Sequence, residues 1–160
     1  MLKTEQVKYN HAATPPPTPM KVELPEDDKT IAYAYDFSGF EPNTYTQVVS
    51  ELKTKATYGE RKDIHEIAAD AQYFNVTGTT ATLLDSYPYE AITIPAQING
   101  TTITRFAIEQ GNCPNLKRIF FQTGNSIVSL EDYLRNQCTN FEYCDFANLT
   151  NLTSIGQHAF

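Results

Sequence analysis

Leu149-Thr-Asn-Leu152-Thr-Ser-Ile155-Gly-Gln-His-Ala-Phe160 sets its apolar residues at leucine, then isoleucine three later, then a closing Ala-Phe pair. Two earlier stretches carry related spacing. Cys113-Pro-Asn-Leu116-Lys-Arg-Ile119-Phe-Phe121 aligns with Cys138-Thr-Asn-Phe141-Glu-Tyr-Cys144-Asp-Phe146 at an offset of 25. Cysteine then falls on cysteine, Asn115 on Asn140, Leu116 on Phe141, Ile119 on Cys144 and Phe121 on Phe146. Upstream, Ile103 and Phe106 match Ile127 and Leu130 at an offset of 24, the slip that a one-residue loop insertion produces. A period in this range makes the C-terminal half a repeat array.

The spacing has a physical reading. In each coil a short strand points alternate side chains inward, here Ile119 and Phe121, then Cys144 and Phe146. A buried turn needs a small residue, hence Cys113 and Cys138. One coil cannot bury its apolar face alone, so coils must stack, and stacked surfaces usually bind rather than catalyse. The positions between the inward ones form two outward columns: Thr93, Phe120, Asp145 and Ala91, Arg118, Tyr143. Arg118, Phe120, Tyr143 and Asp145 are therefore the expected binding residues. Tyrosine and arginine are the types that dominate binding energy at contact surfaces. The competing expectation is that the N-terminal unit covers this face.

The rest of the chain divides in two. Residues 1–29 read as an extended Pro-rich arm, since 10–29 hold five prolines and a charged cluster. Pro-Pro-Pro favours polyproline II, and the segment cannot bury enough apolar surface to fold alone. Residues 30–72 read as a small α/β unit of one strand and two helices. Ile31-Ala-Tyr-Ala-Tyr-Asp-Phe37 alternates at period two, a strand signal, and Ser38-Gly-Phe-Glu-Pro-Asn43 is a turn cluster. Val48, Leu52 and Ala56 place a helix over 44–56, with Gly59 as its terminator. Ile64, Ile67, Ala68 and Ala71 place a second over 60–74. Beyond Asn75 charge falls, and Ala81-Thr-Leu-Leu84 and Ala91-Ile-Thr-Ile94 read as strands.

Composition excludes several classes. The 160 residues carry a net charge of −7 with no basic run, which disfavours nucleic acid and anionic membrane as partners. No apolar run is long enough to span a bilayer. The N-terminal segment lacks an apolar signal core, so the expected location is the cytoplasm or a virion-like particle, or the cell surface for a processed form. Three cysteines, Cys113, Cys138 and Cys144, fit reduced thiols better than a disulfide framework.

Catalytic motifs fail on inspection. His65-Glu66-Ile-Ala-Ala69 approaches the zinc-protease pattern, but Ala69 stands where the second histidine must be. Cys138 and Cys144 are too far apart for a zinc knuckle. No phosphate-binding glycine loop, dinucleotide fingerprint or nucleophile elbow occurs. The reading is therefore not an enzyme, with no catalytic residue, no metal and no cofactor.

Residues 73–160 resemble the BspA-like, Treponema-type leucine-rich-repeat family. The carrying residues are Ile92-Thr-Ile94-Pro95-Ala-Gln-Ile98-Asn-Gly100-Thr-Thr-Ile103, Cys113-Pro-Asn-Leu116-Lys-Arg-Ile119, and Leu152-Thr-Ser-Ile155-Gly156-Gln-His-Ala159-Phe160. The coil over 127–146 departs from the pattern: it lacks the proline and the Ala-Phe pair. The resemblance implies an α+β chain with a short leucine-rich-repeat solenoid of about three coils and an uncapped end, behind the small strand/helix unit and the arm. It further implies a non-catalytic recognition or adhesion module with a protein or cell-surface partner. The alternative is a structural assembly subunit of a multi-subunit particle such as a phage virion, anchored by the arm and forming homo-oligomers or larger assemblies.

Overall fold

The computed structural model describes residues 21–41, 54–109, 113–131 and 138–160. The chain divides into two compact units. Of the described residues, one unit gathers Lys21, 34–41 and 54–62, and the other gathers 22–33, 63–109, 113–131 and 138–160.

The first unit is built on β2 (Tyr33–Glu41) and β3 (Lys55–Asp63), in a sheet of order β1–β2–β3 whose first strand is β1 (Lys21–Glu23). Cross-strand side chains explain why this segment extends. Phe37 meets Tyr58 edge-on at 6.3 Å, Ser38 donates to Thr57 at 3.1 Å, and Lys62 pairs with Asp36 at 2.6 Å. Such pairs are the unit of sheet stabilisation.

The second unit is a set of parallel ladders. Its strands are β4 (Phe74–Thr77), β5 (Thr80–Leu83), β6 (Ala91–Ile94), β7 (Gln97–Ile98), β8 (Thr101–Thr102), β9 (Arg105–Ile108), β10 (Arg118–Phe121), β11 (Ser129–Leu130), β12 (Tyr143–Cys144) and β13 (Ser154–Ile155). One sheet runs β6–β10–β12. Ala91 lies beside Arg118 and Arg118 beside Tyr143. Another runs β4–β5–β9–β11–β13, with Ala81, Phe106, Leu130 and Ile155 in one row. The pairings Phe106–Leu130 and Arg118–Tyr143 fall on the offsets of 24 and 25 seen in the sequence. β4 and β5 form an antiparallel hairpin, and β7 and β8 form a second. The latter turns through Asn99 and Gly100, both at positive φ, as a two-residue hairpin turn requires.

Between the two ladders lies one apolar core. Leu83, Phe106 and Leu130 enter it from one sheet, and Ile92, Ile94, Ile119 and Phe121 from the other. Phe106 meets Phe121 edge-on at 6.0 Å. Side-chain amides tie each turn to the one before: Asn115 donates to the Pro88 carbonyl, Asn140 to Pro114 and Asn148 to Phe121.

The expected fold class is corrected. The described residues are β-rich, with several small sheets of mixed and parallel pairing rather than an α+β leucine-rich-repeat solenoid. Among the described residues helix is confined to two 3-10 turns, Ile64–Glu66 and Ala71–Tyr73. The expected helix over 44–56 lies mostly outside the described residues, but its last two positions and Gly59 are strand β3. The expected helix over 60–74 begins as the same strand. Asp63 and Asp70 then each accept a backbone N–H two residues on, at His65 and Gln72, which closes a tight turn instead of starting a longer helix. The turn cluster at 38–43 is also corrected, because Ser38 to Glu41 continue β2.

Candidate functional site

Strand β10, Arg-Ile-Phe-Phe, is buried along its whole length. Ile119 and Phe121 face the main core. Phe120 faces the other way, into a second cluster with Ala32, Ile64 and Ala91, flanked by Val22, Leu24 and Tyr143. The segment over 22–33 therefore lies as a strap across the outer face of the ladder. A 3-10 turn joins it there: the Ile64 N–H donates to the Ala32 carbonyl at 2.9 Å, and the Thr93 hydroxyl donates to the Ile64 carbonyl.

Arg118 fastens the strap. It is 1 % exposed. Its Nη1 donates to the carbonyls of Ile31 at 2.5 Å and Asp28 at 3.3 Å, and its Nη2 donates to Pro25 at 2.5 Å. Nε has no hydrogen-bond partner. A guanidinium suits this task because its donors are fixed in one plane and it stays charged at any relevant pH. The Asp28 carboxyl is held below the usual carboxylate range, first by hydrogen bonds from the Thr30 hydroxyl and N–H, and also by the charge of Arg118.

His65 closes the far side. Its ring lies 4.1 Å from that of Phe120, and Nε2 is 2.9 Å from the Thr30 carbonyl. Nδ1 stands 3.9 Å from Asp145. Lys29 pairs with Glu142 at 3.3 Å.

The four sequence-expected binding residues do come together, but not as an exposed patch. Arg118 and Phe120 are corrected from surface to interior, Phe120 being fully buried. Tyr143, 6.0 Å from Phe120, and Asp145 are half-buried. The signal that could have shown this is the run itself. Ile119-Phe120-Phe121 offers no polar position to a solvent face, the mark of a strand covered on both sides.

Among the described residues an exposed apolar cluster lies at one end of the ladders. β12 and β13 are the terminal strands of their sheets. Beside them Phe146 is 43 % exposed, Ile155 52 % and Phe160 44 %. Phe160 meets Phe146 at 5.4 Å and Phe141 at 6.1 Å. Phe146 was expected inside and is corrected. Asp145 accepts the Ala147 N–H at 2.9 Å, so the chain turns before strand alternation reaches Phe146.

His65 and Glu66 sit in a single 3-10 turn, so no helix face exists for a zinc-protease pair. Among the described residues no group of three or more His, Cys, Asp or Glu side chains could hold a metal ion. No helix among them is long and apolar enough to cross a membrane. Burial, and then the charge of Asp145, pushes the Cys144 thiol up to about 12. No family model, no curated protein and no solved structure matches the chain.

Proposed function

We propose that the chain is a non-catalytic recognition module that binds a protein or surface partner through the ladder end formed by β12 and β13. The observation that carries this reading is the cluster of Phe146, Ile155 and Phe160, exposed beside two terminal strands. A terminal strand offers unpaired backbone donors and acceptors, and neighbouring apolar side chains supply the burial that strand addition needs. A photo-crosslinking side chain at Ile155 tests it, with the same group at exposed Asn75 as the control. In the native source, adducts should form from position 155 and not from 75. Equal adducts from both positions, or none from 155, would overturn the reading.

The same open edge favours a second reading, a structural assembly subunit in which the strand edge pairs with another copy. Light scattering separates the two. A mass that rises with concentration and falls for Phe146→Ser supports assembly, and a stable monomer at high concentration sinks it.

A further inference from the structure

Cys113 and Cys138 occupy equivalent places on successive turns of the parallel ladder. Each opens the same tight turn: the Leu116 N–H donates to the Cys113 carbonyl at 3.1 Å, and the Phe141 N–H donates to the Cys138 carbonyl at 3.1 Å. Five residues on, Arg118 pairs with Tyr143 in register. Both thiols are buried in the same core and both are free. Neighbouring chains in a ladder stack about 4.8 Å apart. That is inside the range of roughly 4.4–6.8 Å between Cα atoms that a disulfide bridges.

We propose that Cys113 and Cys138 form an oxidation site, at which a small peroxide converts the thiol pair to an inter-turn disulfide. The Cys138 thiol is a hydrogen-bond partner of Cys113, which lowers the Cys113 pKa and raises that of Cys138. Either sulfur of the pair can react first; take Cys113. Its thiolate attacks one peroxide oxygen, the S–O bond forms and the O–O bond breaks. The departing hydroxide takes the proton Cys113 gave up and leaves as water. The Cys138 sulfur then attacks the sulfenic sulfur of Cys113. The S–S bond forms, the S–O bond breaks, and the second hydroxide leaves as water with the Cys138 proton. Two thiols and one hydrogen peroxide give one disulfide and two waters, so two electrons pass from sulfur to oxygen. Cys144, on β12, takes no part, because its partner on the neighbouring strand is Ile119 and not a cysteine.

Peptide mapping of the full chain after hydrogen peroxide treatment tests this. Trypsin cuts after Lys117 and Arg135, and a glutamate-specific protease cuts after Glu142, so the three cysteines fall in three separate peptides. The expected product is the 113 and 138 peptides joined, lighter by two hydrogens, with Cys144 still alkylatable. The joined chain should melt at a higher temperature, and dithiothreitol should reverse the shift. Cys144→Ser should keep the cross-link and Cys138→Ala should lose it. Two outcomes would overturn the proposal: a link through Cys144, or Cys113 and Cys138 both still alkylatable after Cys144 has oxidised. The map of the unsubstituted chain decides between these outcomes even where a variant fails to fold.

Discussion

Two places in the strand row β6–β10–β12, its middle strand and the turn after its terminal strand, carry aromatic rings with opposite fates. At β10 an aromatic ring and an arginine are sealed under the 22–33 strap, with carbonyls of Pro25, Asp28 and Ile31 around the guanidinium. At the turn after β12, Phe146 stands in solvent with Phe160 against it. The difference lies not in the side chains but in what is laid over them. An aromatic on a strand face is core where a second segment reaches it, and surface where none does.

Substitutions test this contrast, and the largest effect belongs to the sealed middle strand. Phe120→Ala should destabilise the chain by about 4 kcal/mol, the usual scale for emptying a buried phenylalanine site. Urea unfolding measures it, and a loss of partner binding with unchanged stability would show that the ring is surface after all. Arg118→Ala should cost about 3 kcal/mol, because three strap carbonyls lose their donors together. Arg118→Lys should recover only part of that, since an ammonium lacks the planar fork. Full recovery by lysine would mean that charge, not geometry, holds the strap.

The open end should behave in reverse. Phe146→Ser with Phe160→Ser should cost about 1 kcal/mol of stability, the scale of a lost aromatic pair, while abolishing association. A large drop in melting temperature would reassign these rings to the core.

The smallest effect is electrostatic. Glu131 accepts two hydrogen bonds from Arg105, at 2.8 and 3.1 Å, between β9 and the residue after β11. Those bonds, and then the arginine charge, hold the Glu131 carboxyl below its ordinary value. A depressed carboxyl contributes stability above the unfolded glutamate pKa of about 4.3, and the contribution fades as pH falls through the folded value. Melting curves from neutral to acid pH should therefore drop less for Glu131→Gln than for the parent chain.

The sequence held the ladder register, and it held the covering only as the competing expectation: Ala32 and Ile64, from the 30–72 unit, pack with Phe120. Offsets of 24 and 25 follow from matched residues, because parallel neighbours must bury the same face. The strap was not legible, since nothing in Leu24-Pro-Glu-Asp-Asp-Lys announces a buried seat. Its anchor is the chain's own carbonyl groups, which every sequence has, and the reader of those carbonyls, Arg118, lies 93, 90 and 87 residues away. Over 55–74 the helical period gives way for a related reason. Ile64, Ile67, Ala68 and Ala71 fit that period, but pairing of Phe37 with Tyr58 and Asp36 with Lys62 fixes β3 as far as Asp63. Cross-strand partners outweigh local periodicity where a neighbouring strand is at hand.

Those long separations bear on how the polypeptide is made. During synthesis, residues 22–33 leave the ribosome well before Arg118 has been translated, so for that interval they have no place to settle. Apolar side chains such as Val22, Leu24 and Ala32 stay uncovered on the nascent chain until the tenth strand emerges. Closing a loop of that size comes late and slowly. The strap is thus made well before the strand that seats it.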